Sequence, residues 1–308
     1  MTDKLSMKFK AHQSFFIRKG WLSKGLRGVK KNAALMMPSS SREAMDELGL
    51  GANQVVALRY WLQATGLISM GYRNREHNVT ELGELVLARD PYIEEMGTLW
   101  ALHCNIASAQ EEAAAWFFFF NEFKMNVFGK EDFTHAIERY IFANNKKAKV
   151  ALTSLEADFS CILSTYIPHD RTSGKVVSPE SVIDCPLGDL GLVDVEDRAA
   201  KTYRKKPANL AMLPSLLVLY AICLGRDRMQ GEGVDTKGEI RLERLLDGYS
   251  TPGRLYNLDS VSLLTKLYEL ENDGHLRINR TAGLDVVRMT EPDIRKEDCL
   301  THYYDLIG

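Results

Sequence analysis

Glu156 and Asp158 stand two positions apart in the stretch SLEADF. Paired carboxylates are what a metal-dependent nuclease needs: they hold Mg2+ or Mn2+ beside a group that activates water. On a helix, residues two apart diverge by about 200°, so these two chelate one ion only where the helix is broken. A partly exposed helix face is the plainer reading. A second group lies in HQSFFIRKGWLSKGLRGVKK, His12 to Lys31. There Arg18 could clamp a phosphate through two N–H groups, while His12, beside Ser14, moves a proton near neutral pH. Packing in the core is the alternative for His12. His103, next to Cys104 with no acid at a partner spacing, reads as a core histidine. There is no P-loop, no GxGxxG after a strand, no nucleophile elbow and no HNH-type pair, which argues against nucleotide hydrolysis and hydride chemistry. No nucleotide or redox cofactor is expected. A divalent ion, Mg2+ or Mn2+, is the one cofactor that strand cleavage would require.

Charge gives a broader signal. Up to Lys31 there are nine Lys/Arg against one acid, Asp3, whereas the 308-residue chain has a formal net charge of −2. Lys19, Lys24, Arg27, Lys30 and Lys31 crowd the end of that segment. A second basic knot, KTYRKKP, brings Lys205 and Lys206. Charge segregated in this way suits a polyanionic partner on one surface, with a solvated basic helix face as the alternative.

These residues need elements to hold them. Ser40 with Glu43 three positions on makes a capping-box signature ahead of a short helix closed by Gly49. QVVALRYWLQATG then repeats apolar residues at helical spacing and stops at Gly66. A hairpin with Arg73 and Arg75 in its loop follows, and then a helix ended by Pro91. Helix, tight turn, helix and hairpin is the order of a winged helix-turn-helix, expected over 37–91. Its second helix would begin with Asn53 and Gln54, side chains suited to adenine edges; helix capping by Asn53 is the alternative. A similar order recurs over 240–290. Between them residues 92–167 read as helical, and the run Trp116–Phe120 reads as core, because no basic residue interrupts it as on a base-stacking groove. The expected fold is mainly α: a helical core with two winged helix-turn-helix-like units carrying small β-hairpins. The expected segments are a basic 1–36, a winged helix 37–91, a helical core 92–167, a loop-rich connection 168–207 and a C-terminal helical, winged-helix-like domain 208–308.

Composition is that of a globular protein, 45% hydrophobic and 26% charged. The strongly apolar run Ala113 to Phe120 has eight residues, short of the ~20 of a membrane span, and the N-terminus lacks a secretory signal. Five scattered cysteines without a CxxC pair exclude a zinc ribbon and fit a reducing, cytoplasmic setting.

The segments HQSFFIRKGWLSKGL, LRYWLQATGLI, LGELVLARDPY, GTLWALHCNIAS, AWFFFFNEF, SLEADFSCILSTY and CPLGDLGLV, with the later TAGLDVVRM and HYY, resemble the SspB-like family of bacterial DNA phosphorothioation (Ssp) defence systems, encoded beside sulfur-transfer and ATPase genes. The resemblance runs in order over nearly the whole chain. It implies a protein that acts on double-stranded DNA in anti-phage defence, nicking one strand as sulfur replaces a non-bridging phosphate oxygen. It also implies a cysteine desulfurase, a pyrophosphatase-like sulfur carrier and an ATPase as partners. It carries over no catalytic residue. Two functions stay open on the residues: a DNA-nicking endonuclease, and a non-catalytic DNA-binding adaptor that presents DNA to the sulfur-transfer partners.

Overall fold

The computed structural model describes residues 6–71, 75–168, 184–228, 239–281 and 284–308. After an irregular start comes α1 (Trp21–Lys31), an amphipathic helix burying Trp21, Leu22, Leu26 and Val29. It packs across α3 (Ala52–Ala64) at Gly25, where a Cβ would sit only 2.8 Å from Leu62 Cδ1. Helix α2 (Ser41–Leu48) precedes α3. Gly66, at φ 75°, then turns the chain toward β1 (Ile68–Met70), a left-handed conformation that costs glycine little. Strand β1 pairs antiparallel with β2 (His77–Val79), Ile68 opposite Val79 and Met70 opposite His77. Helix α4 (Glu81–Arg89) follows, its first turn capped where Thr80 Oγ1 accepts the Gly83 N–H at 3.1 Å.

The centre of the molecule is α5 (Met96–Ser108), buried from Gly97 to Ser108, as a helix apolar all round must be. Helix α6 (Ala114–Phe117) widens into a π-helical turn, Phe118–Glu122, and Trp116 to Phe120 are all buried. Edge-to-face contacts join Phe119 to Phe128 at 5.4 Å and Phe118 to Phe133 at 5.6 Å. The aromatic run is core, and no ring of it is free to stack on a base. Helices α7 (Lys130–Asn144) and α8 (Leu152–Tyr166) close this side.

The described part of the stretch expected as a loop-rich connection carries regular structure. A 3-10 turn at Pro186–Leu190 leads to β4 (Val193–Asp197) and β5 (Thr202–Lys205), which join β3 (Val127–Phe128) in the order β3–β5–β4. The chain ends with α9 (Ser215–Arg228), β6 (Glu239–Arg241), α10 (Leu242–Asp247), α11 (Pro252–Leu255), α12 (Ser260–Asn272), β7 (Leu276–Thr281), β8 (Leu284–Met289) and α13 (Lys296–Ile307). The hairpin expected over 240–290 is β7–β8, and β6 adds a third strand that the sequence reading did not include. Tyr303 of α13 lies on Gly97, in space that a Cβ would fill. Arg295 Nη1 reaches Glu81 Oε2 at 2.8 Å, tying the C-terminal helix to α4. The protein is mainly α, with small antiparallel sheets at its edges.

Candidate functional site

Two of the four catalytic candidates, His12 and Asp158, meet in one buried contact. Asp158 of α8 accepts the Lys10 N–H at 2.9 Å and lies 2.7 Å from His12 Nε2. The Ser14 N–H donates to His12 Nδ1 at 3.0 Å, so Nε2 carries the ring proton and donates it to Asp158. His12 and Asp158 are 0% and 1% exposed. The imidazole is stacked at 6.0 Å on Trp61, with Trp116 edge-on at 5.7 Å. Lys10, Gln13 and Ser14 hold φ of 54°, 48° and 64°, sparsely populated for residues with a Cβ, and the buried bonds keep the segment in that shape. Glu156 leaves the other way, to Lys130 Nζ at 2.9 Å. Arg18 lies 5.3 Å over the Trp21 ring.

Glu156 and Asp158 therefore do not converge on one ion, and both are engaged by protein donors. Among the described residues no three His, Cys, Asp or Glu group as a metal site. This pair does not fit a divalent-ion cage. His103 is held by Tyr166 Oη at 2.8 Å and donates to the Leu255 carbonyl at 2.7 Å; burial drops its pKa to about 4, so it stays neutral.

The predicted DNA-facing residues separate into three places. On α1, Lys24, Arg27, Lys30 and Lys31 are exposed on one side of the helix. Lys30 pairs with Glu84 at 2.6 Å and Lys31 with Glu47 at 2.8 Å; nearby, Lys19 pairs with Glu94 at 2.9 Å. Lys24 and Arg27 have no ion pair among the described residues, and Arg27 lies 5.3 Å from the Tyr92 ring. At the start of α3, Gln54 Oε1 accepts the Gly51 N–H at 2.9 Å, so Gln54, not Asn53, closes the helix end. Asn53 is exposed. Arg75 is exposed beside the β1–β2 hairpin, whereas Arg73 lies outside the described residues.

The third place is a cleft of about 770 Å3 between β5, the segment after the π-helical turn, and the α10–α12 region. Strand alternation sends Arg204 and Lys206 one way, to Glu196 and Asp194, and Tyr203 and Lys205 the other. Lys205 Nζ donates to the Phe119 and Phe123 carbonyls at 2.5 and 2.6 Å and sits 4.6 Å over the Phe119 ring. The widened turn leaves carbonyls at its C-terminal end to take that charge. Lys124 and Arg254 share the wall, and Arg254 is held by Asp247 at 2.9 Å. Burial first, and then repulsion from Arg254 and Lys124, lowers the Lys205 pKa to about 7. Lys205 stands out in the sequence as part of a basic knot, whereas Lys124 and Arg254 come from distant segments and carry no motif.

The fold has counterparts among solved structures. Two solved structures match over 97% of this chain and 88% of theirs at 26% identity: a magnesium ion-bound SspB crystal structure, with a TM-score of 0.83, and an SspB crystal structure, with 0.82. No curated protein matches the sequence. Residues 9–304 match the family described as "Protein of unknown function (DUF4007)", and the chain belongs to that family.

Proposed function

We propose that the protein is a DNA-binding component of the DNA phosphorothioate modification machinery that nicks one strand, allowing sulfur to enter the backbone. The observation that carries this reading is the likeness to SspB over almost the full chain. On this reading α2, α3 and the β1–β2 hairpin form one winged helix-turn-helix, and α10 to α12 with the β6–β8–β7 sheet form a second. Lys24 and Arg27 lie along phosphates, where contacts position a duplex without reading it. Asn53 and Arg75 remain available to bases or groove; Gln54 does so only by releasing the Gly51 N–H.

The sulfur chemistry belongs to partners: a cysteine desulfurase, a pyrophosphatase-like sulfur carrier and an ATPase. All five cysteines are buried, and burial lifts the Cys104 and Cys185 thiols to about 12, which disfavours the thiolate that a persulfide carrier uses. The protein works in the cytoplasm with the DNA; among the described residues no helix is long and apolar enough to cross a membrane.

A second reading, the non-catalytic adaptor, draws support from the His12–Asp158 contact, which has no face toward solvent. Relaxation of supercoiled plasmid by the purified protein, with Mg2+ or Mn2+ against EDTA, separates the two. Open circles that need the metal support the nickase. Plasmid bound but left supercoiled supports the adaptor, and neither binding nor nicking contradicts both.

A further inference from the structure

We propose that the cleft walled by Lys124, Lys205 and Arg254 binds a phosphate monoester, the group carried by a nucleotide or by the end of a nicked DNA strand. The proposal rests on the DNA-acting reading for its substrate class and on the cleft itself for its chemistry.

Three cations converge there from separate parts of the chain: the end of the π-helical turn, β5 and α11. The acids near them are already engaged. Asp247 holds Arg254 at 2.9 Å, Asp259 caps α12 by accepting the Ser262 N–H at 2.7 Å, and Glu122 takes the Tyr249 hydroxyl. Arg204, on the same rim, is paired with Glu196. Lys124 and Lys205 make no ion pair among the described residues; burial first, and then Arg254, lowers the proton affinity of both, and Lys124 lowers that of Lys205 further. Their repulsion with each other and with Arg254, which does have Asp247 as its partner, is a cost that a bound dianion removes. A planar guanidinium beside two ammonium groups suits a tetrahedral oxyanion. The size agrees as well, since a cleft of about 770 Å3 is within the range that encloses a small ligand.

The Lys205 proton gives a signature that a merely structural lysine lacks. With its pKa lowered to about 7, part of the Lys205 population is neutral at pH 7.5, and an arriving dianion favours the ammonium form. Binding should therefore take up protons and weaken as pH rises from 7 to 9.

The test is calorimetric titration of the full chain at pH 7.5, in two buffers of different ionisation enthalpy. The probes are inorganic phosphate, a nucleoside 5′-monophosphate, and a short oligonucleotide with and without a 5′-phosphate. The expected result is binding of phosphate-bearing probes with a buffer-dependent heat, reduced about tenfold or more by Lys124→Gln or Arg254→Gln. Lys205→Met should abolish the buffer dependence; if it fails to fold, the other two variants still decide. Preference for the 5′-phosphorylated oligonucleotide assigns the site to strand ends, and equal binding of inorganic phosphate assigns it to free phosphate. No heat with any probe, or equal affinity in wild type and both variants, overturns the proposal. Duplex binding by the wild type, measured alongside, keeps failure of the cleft distinct from failure of the DNA reading.

Discussion

Asp158 and His12, 146 positions apart, meet at 2.7 Å and fasten the N-terminal segment to α8. The carboxylate also takes the Lys10 N–H, so one side chain satisfies two donors of the segment that leads into the left-handed Gln13–Ser14 turn. Removing it strands the imidazole N–H and a backbone N–H in the core. Asp158→Ala should cost about 2–6 kcal/mol, about 1–3 for each stranded donor, measured by denaturant unfolding. If the contact is a strut, DNA binding per folded molecule stays at the wild-type level. A variant of normal stability that has lost plasmid nicking would show the pair to be catalytic instead.

The start of α3 makes a second, separable prediction. Gln54 Oε1 holds the Gly51 N–H, so Gln54→Ala should lower stability by about 1 kcal/mol and leave site preference alone. Asn53→Ala should do the reverse: no change in melting temperature, and a loss of discrimination of about 1–3 kcal/mol if Asn53 reads a base. Unchanged preference in the Asn53 variant would remove α3 from base readout.

Much of the framework could be read from local spacing. The apolar stripe of α3, the stop at Gly66 and the cap before α12 each depend on a few neighbouring residues. Strand β5 could not be read that way. KTYRKKP looks like a solvated charge run, but it pairs on both edges, Tyr203 opposite Val195 of β4 and opposite Phe128 of β3, and so becomes the central strand of its sheet. The pairing with β3 spans more than seventy positions, so no local pattern announces it. The same holds for the site. His12 and Asp158 were both visible as chemistry-bearing residues, but nothing in the sequence joins them, and burial turns them into packing. Conversely, Arg254 and Lys124 carry no motif and acquire meaning only beside Lys205.

His103 predicts an acid limit to stability. Its folded pKa is depressed to about 4 by burial, against the usual 6.5 of an unfolded histidine. Between those values the unfolded chain binds the extra proton, so stability is retained above pH 6.5 and falls as pH drops toward 4. The loss attributable to this group is roughly 3 kcal/mol. His103→Gln, compared with wild type by thermal melts from pH 7 to 4, should show a shallower decline. Parallel curves would refute the assignment.

The α1 stripe should divide unevenly. Lys30 and Lys31 have Glu84 and Glu47 as competing partners, whereas Lys24 and Arg27 have none among the described residues. Lys24→Ala with Arg27→Ala should weaken binding to every duplex and reduce the salt slope by about 0.9 per lost phosphate contact. Lys30→Ala with Lys31→Ala should do less. Equal losses for the two pairs would mean that the acids release their lysines on binding.

The claim that this protein works on DNA is tested most directly by equilibrium binding of the purified full chain to duplex DNA from 50 to 200 mM salt. The account predicts binding whose affinity falls steeply and linearly on logarithmic axes as salt rises, the mark of phosphates released from their counterions. Absence of binding at 50 mM salt, with the protein folded by circular dichroism, would contradict it.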